Sequence, residues 1–157
     1  MTAGIVATLW ISLALGGAPP TCEADGVDAR KVRAVAEAIV AADNARDIDR
    51  VRSSYAPDAI LMPPNEAPVR GWDAIRPRYE SLFASFAPAI EGHLDEICVS
   101  SAFAFVRGRN GGRFDPRGAG AARILNDIYL MLLRRDETGA WRISHLMWHP
   151  ASPAARE

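Results

Sequence analysis

Lysine is nearly missing from this chain, with Lys31 the only one, and the formal net charge is −1. That balance excludes the strong cationic field a general nucleic-acid binder needs. Histidine and cysteine are also scarce, at 3 and 2 residues, and the two cysteines make no metal motif. No metal ion and no cofactor is expected. Long apolar runs are missing too. Ile5 to Leu15, "IVATLWISLAL", holds eleven residues, whereas a membrane span needs about 20. A stable membrane span is therefore not expected. "GAGAAR", residues 118 to 123, has the look of a dinucleotide fingerprint, but Arg123 stands where the third glycine belongs and a β-rich run follows.

What is present begins with that short apolar run. Small residues and a proline pair follow it, in "GGAPPTCEADG". The pattern fits the hydrophobic region of a secretory signal, although no positive residue precedes it. Residues 1–24 are accordingly read as signal peptide and short leader, with cleavage after Gly16 or Ala24, and the mature protein as secreted or periplasmic. The alternative is a buried N-terminal helix or an uncleaved anchor. Cys22 is a weak match to a lipoprotein cysteine. Cys22 and Cys98 can pair in an oxidising compartment if cleavage leaves Cys22 in the mature chain; otherwise Cys98 reads as a small core residue.

From Asp28 the pattern is helical. Val32, Val35, Ala36, Ile39 and Val40 form one apolar stripe, with Asp28 as cap and Asn44 as stop. Asp47 caps a shorter helix carrying Ile48, Val51 and Tyr55, broken at Pro57-Asp58. "AILMPP" is a short strand that must end at its prolines, which donate nothing to a ladder. After Arg70-Gly71 a third helix carries Ile75, Tyr79, Leu82, Phe83 and Phe86, with Pro77 near its first turn. Residues 89 to 99, 101 to 109, 122 to 135 and 140 to 149 read as strands, with a turn at "DETG" and a long Gly-rich hairpin loop over residues 108 to 121. Three helices followed by a meander give an α+β layout, helices on one face of a curved antiparallel sheet of about five strands.

In "NDIYLMLLRR" both strand faces are apolar: Ile128, Leu130 and Leu132 point one way, Tyr129, Met131 and Leu133 the other. A sheet covered on one side only should alternate apolar with polar. A second copy of the chain is the simplest cover for the outer face, so a homodimer through the sheet is expected.

"DIDRVRSSYAPDAILMPPNEAPVRGWDAI", followed after the strands by "GAWRISHLMWHP", resembles the nuclear transport factor 2-like superfamily. The SnoaL-like and domain of unknown function 4440 groups within it are most similar; ketosteroid isomerases are more distant members. The resemblance covers residues 25–153, leaving 154–157 as a tail, and implies a cystatin-like cone: a bent sheet around a long helix, an apolar pocket at one end, often a dimer. Two isomerase carboxylates fall on Pro63 and near Met131 in this chain, and neither position can carry a proton. The resemblance therefore does not imply the two-carboxylate isomerase mechanism here.

Simple alternation puts Trp141, Ile143, His145, Met147 and His149 on one face. The resemblance implies that the face shared by Trp141 and Ile143 looks toward the helices, so that His145 would border the cavity as general acid/base, with Asp127 orienting it; the competing reading is a half-buried structural histidine. His145 and His149 stand about 13 Å apart on a strand and cannot share one ion. Tyr55, Met62, Trp72, Tyr79, Phe83, Tyr129, Met131 and Met147 are the side chains most suited to line a pocket for a small apolar or aromatic molecule. For Tyr79 and Phe83, ordinary core packing is the competing reading. The functional expectation is an exported small-molecule-binding domain; the rivals are a dehydratase, cyclase or hydrolase using His145, and a non-catalytic dimerising domain.

Overall fold

The computed structural model of the protein describes residues 25–151. The expected signal segment, Cys22 and the tail lie outside the described residues. Three helices and seven strands follow in the order α1 (Val27–Ala45), α2 (Ile48–Ser54), β1 (Tyr55–Met62), β2 (Val69–Arg70), α3 (Trp72–Ser85), β3 (Phe86–Val99), β4 (Phe103–Pro116), β5 (Arg123–Ile124), β6 (Asp127–Arg135) and β7 (Trp141–Pro150).

The helices form on the predicted apolar stripes, except that Tyr55 and Phe86, read as the last members of the second and third stripes, open β1 and β3 instead. α1 buries Ala29, Val32, Ala36, Ile39 and Ala42, and α3 buries Ile75, Tyr79 and Phe83. Their ends differ in part from expectation. Asp28 does not cap α1; it lies in the first turn and bonds Arg135 across the fold. The stop is Arg46 in the left-handed region (φ 55°), whose N–H bonds the last-turn carbonyls of Ala42 and Asp43. Asn44 instead ties α1 to β3, donating to the Ile90 carbonyl at 2.9 Å and accepting from the Ile90 N–H at 2.7 Å. Asp47 does cap α2, accepting from Arg50 N–H at 3.0 Å.

The sheet is mixed. Its order is β2-β1-β7-β6-β4-β3, with β5 attached to β4. All pairs are antiparallel except β1 with β7, which is parallel. β1 stops before Pro63, as two prolines require. The "DETG" turn is held by Asp136, whose carboxylate accepts from Thr138 N–H, Ala140 N–H and Arg142 Nε at 2.9, 3.0 and 3.0 Å. These contacts, the Thr138 hydroxyl foremost, lower its pKa to about 2.

The Gly-rich loop of residues 108 to 121 is the largest correction. β3 and β4 each run 14 residues and pair from Val99↔Ala104 down to Phe86↔Pro116. Gly108 and Gly112 are there for close approach, not for a turn. A Cβ on Gly108 would lie 2.2 Å from the His93 carbonyl oxygen and 2.5 Å from the Tyr129 hydroxyl; one on Gly112 (φ 101°) would lie 2.1 Å from the Ala89 carbonyl oxygen. Bulges interrupt three pairings, at Tyr55/Ile60, Leu94/Glu96 and Leu132/Leu133. Each adds local bend and twist. The sheet curls around α1, and Val32, Val51, Tyr55, Ile75, Val106, Leu133 and Ile143 fill its centre with essentially no exposure.

Candidate functional site

Paired residues on neighbouring strands share a face, so the register assigns the interior row by row. At one end lie Gly92, Asn110 and Asp127. The next row is Leu94, Gly108, Tyr129 and Trp148, and after it Ile97, Val106, Met131, Leu146 and Leu61. The last row is Val99, Ala104, Leu133, Ile143 and Tyr55. The interior thus grades from polar at the end near Ala45 and Phe86 to wholly apolar at the end near Trp141.

His145 is not in any of these rows. Leu133 pairs with Ile143 but Leu132 pairs with His145, so Ser144 is an extra residue and alternation breaks there. His145 therefore shares the outer face with Leu132, and its Nδ1 lies 3.2 Å from the Ser144 hydroxyl. Met147 (41% exposed) and its partner Met62 follow it outward. Leu61, Leu146 and Trp148 take the inward places that simple alternation gave to Met62, His145 and Met147. Asp127 faces inward at the polar rim, where burial first of all raises its pKa, against the pull of His149 and Arg123. His145 and Asp127 thus lie on opposite faces, and the expected acid–base pair does not form.

Of the other expected pocket residues, Phe83 and Tyr129 each line a cavity, while Tyr55, Tyr79 and Met131 are buried in the core. Trp72, Tyr55, Tyr79 and Phe83 form an aromatic rail, with successive ring centroids 6.4, 6.2 and 5.7 Å apart. The Tyr55 and Tyr79 hydroxyls share a hydrogen bond of 2.9 Å. Tyr129 and Met131 stand buried on the sheet beyond them. Burial pushes the Tyr129 hydroxyl up to about 12.

One residue in this interior was not expected. Asp43 lies on the buried stripe of α1, and its Oδ1 is buried without a hydrogen-bond partner. Burial pushes its pKa up to about 8. It is close enough to Tyr55 and Tyr79 for its charge to help hold their protons on, after burial, the larger cause. The signal was present in the sequence: Val32, Ala36 and Ile39 continue with the same spacing onto position 43. A carboxylate on the apolar stripe of a helix requires a reason.

Two cavities adjoin α1. A groove of about 490 Å³ is lined by Ala45, Arg46, Ile48, Glu80, Phe83, Ala84 and Arg117, so Phe83 belongs both to its wall and to the aromatic rail. A second cavity, about 260 Å³, lies between α1 and the sheet against Val40, Asn44, Gly92, Leu94 and Tyr129. The buried Asn110 Oδ1, also unpartnered, adjoins Gly92 there. Among the described residues no group of three His, Cys, Asp or Glu side chains comes together that could hold a metal ion, and no helix is long and apolar enough to cross a membrane. Of the loop arginines, Arg107 and Arg109 brace the bulge residue Asp95, Arg113 pairs with Asp115, and Arg117 donates to the Phe83 carbonyl.

The fold has many solved counterparts. A ketosteroid isomerase-like protein from Erwinia carotovora atroseptica is 27% identical, with TM-score 0.75, covering 82% of this chain and 100% of its own. A protein assigned as a scytalone dehydratase from Novosphingobium aromaticivorans is 17% identical, with TM-score 0.68 over 83% of this chain and 95% of that one. A protein assigned as a dehydratase of the nuclear transport factor 2-like family, from Streptomyces avermitilis, is 16% identical, with TM-score 0.67 over 80% and 97%. No curated protein matches the chain. The model of the SnoaL-like domain matches residues 36–137, from the middle of α1 to the β6–β7 turn. With that match and the mixed, curved sheet around α1, the chain belongs to the SnoaL-like domain family of the nuclear transport factor 2-like superfamily.

Proposed function

We propose that this protein is exported and binds a small, largely apolar or aromatic molecule between α1, α3 and the sheet. The observation that carries the reading is the Asp43 Oδ1, buried without a partner in the turn of α1 whose next residues, Asn44 and Ala45, line the two cavities. A buried unsatisfied polar atom costs about 1–3 kcal/mol. Retaining one amid aromatic rings is reasonable where a ligand supplies the missing partner. The groove of about 490 Å³ beside Ala45, Arg46 and Phe83 has the volume of an ordinary small-molecule site. A thermal-shift screen of uncharged ring compounds tests this: a true ligand at a hundredfold excess over its Kd adds about 2.7 kcal/mol. If no such compound stabilises the protein, the cone is a filled structural domain.

A second reading is acid–base catalysis, in keeping with the dehydratase and isomerase-like names of proteins that share the fold. Asp43 favours it, because a carboxyl with one oxygen buried and unpartnered, its pKa raised by burial, is the kind of group that general acid–base work uses. His145, on the outer face, does not. The outer face also supports the expected dimer: Ile128, Leu130 and Leu132 are only half-buried there, and Phe103 is 55% exposed. Light scattering of the purified protein and of Leu130→Glu tests the dimer, and mass spectrometry of the exported, non-reduced protein tests cleavage and the Cys22–Cys98 pairing.

A further inference from the structure

The outer face of the sheet carries donor groups that the pocket does not use. Past the extra residue Ser144, alternation resumes, and His145, Met147 and His149 all stand on that face of β7. Met62, the last residue of β1, pairs with Met147, and Ile60 pairs with His145. Two methionines are therefore cross-strand neighbours, about 5 Å apart at the backbone, with an imidazole two residues along the strand. Met147 is 41% exposed. Hydrogen bonds fix which nitrogen of that imidazole is left over. The Ser144 hydroxyl donates to the Leu132 carbonyl at 3.2 Å, so its oxygen accepts from His145 Nδ1–H, also at 3.2 Å. The proton thus sits on Nδ1 and the lone pair on Nε2, the arrangement of a metal-ligating histidine. Arg70 beside Ile60 and Arg107 beside Leu130 are the charged neighbours by register, and both are held in ion pairs, with Asp58 and Glu96. The remaining donors are all neutral.

We propose that Met62 Sδ, Met147 Sδ and His145 Nε2 form a site for a soft monovalent cation, copper(I) or silver(I). Thioether sulfur selects such ions, whereas carboxylates, carbonyls and water suit hard divalent ones. Three neutral donors also leave only one positive charge on the filled site, where a divalent ion would leave two. Histidine, cysteine, aspartate and glutamate alone make no three-ligand group among the described residues; the two thioethers complete one. His149 flanks Met147 on the other side, but β1 ends at Met62 and gives it no partner there, and its ring is exposed. It stays outside the site. The cation site lies on the opposite face of the sheet from the ring-compound pocket, and neither requires the other.

Silver(I) is the probe, because it is soft and needs no reductant to stay monovalent. It is titrated in chloride-free nitrate buffer against the full chain, after iodoacetamide has alkylated any thiol, and followed by calorimetry and native mass spectrometry. The wild type is expected to take one silver ion per chain. Met62→Leu and Met147→Leu keep the side-chain volume and so the fold; each, like His145→Ala, should lose at least about tenfold in affinity. His149→Ala should change it by less than about twofold. The nitrogen-15 resonance of His145 Nε2 should move on silver addition, with Nδ1 much less affected; should His145→Ala fail to fold, this shift in the wild type still decides its part. Zinc(II) in excess should not displace the silver. A wild type that binds silver no better than Met147→Leu overturns the proposal. So does displacement by zinc, or a loss that follows His149→Ala in place of His145→Ala.

Discussion

The two ends of the cone are built from the same strands but differ in the polar atoms they bury. At the end near Trp141, Leu133, Ile143 and Val32 have no measurable exposure, and the Asp28–Arg135 ion pair closes the rim from outside. The buried Trp141 Nε1 lacks a partner there, but Arg135 covers its ring at 4.5 Å. At the other end, roughly 22 Å away along α1 at about 1.5 Å per residue, Asp43 and Asn110 each leave an oxygen buried and unpaired. One end is a core that any α+β domain needs. The other holds polar groups that packing alone does not explain, so stability and function are separated along the axis of one helix.

Mutations can break that separation. Leu133→Ala, at the sealed end, should cost most, about 2–5 kcal/mol in denaturant unfolding, with ligand affinity of the surviving folded fraction unchanged. Asp43→Asn, at the polar end, should act through pH. The folded-state pKa of Asp43 is about 8 against an ordinary 3.8, so the folded chain holds that proton more tightly than the unfolded chain. Its stabilising contribution is complete below about pH 4 and is lost as pH rises through about 8. Melting temperature followed across that window should fall in the wild type, with a distinctly shallower fall in Asp43→Asn. Equal slopes would mean that Asp43 is charged and paired after all. Arg46→Gly relieves a left-handed backbone (φ 55°) at the C-cap of α1 and should stabilise by about 1 kcal/mol. His145→Ala, on the outer face, should change ligand affinity least of all, within about 0.5 kcal/mol; a large loss would return His145 to the pocket.

Much of the fold was legible because its signals are local. Apolar stripes placed α1 and α3, Asp47 announced α2, the proline pair ended β1, and "DETG" made its turn. The two apolar faces of β6 also read correctly, with Tyr129, Met131 and Leu133 buried. What escaped was non-local. A bulge adds one residue without changing composition, so Ser144 reversed His145 and Met147 with no trace in the alternation. Gly108 and Gly112 read as a loop because the Tyr129 side chain and the Ala89 backbone that need their space arrive from other strands. Of the expected pocket residues, the rings of Trp72, Tyr55, Tyr79 and Phe83 lie next to one another, since large rings are conspicuous as core or as lining alike. Asp43 was missed because a single acid at the end of a helix looks like a solvated one unless the stripe is followed to its last turn.

The parallel pairing of β1 with β7 has a consequence for how the molecule comes into being. β7 lies between β1 and β6, and among the described residues it is the only strand through which the β1–β2 pair joins the rest of the sheet. Until residues 141–150 leave the ribosome, the helices and their short hairpin have no sheet to join, and the long β3–β4 hairpin has an uncovered neighbour strand. Such late, distant closure makes for slow folding and prolonged exposure of greasy surface. If the chain is exported as proposed and crosses a membrane unfolded, that delay would be an advantage.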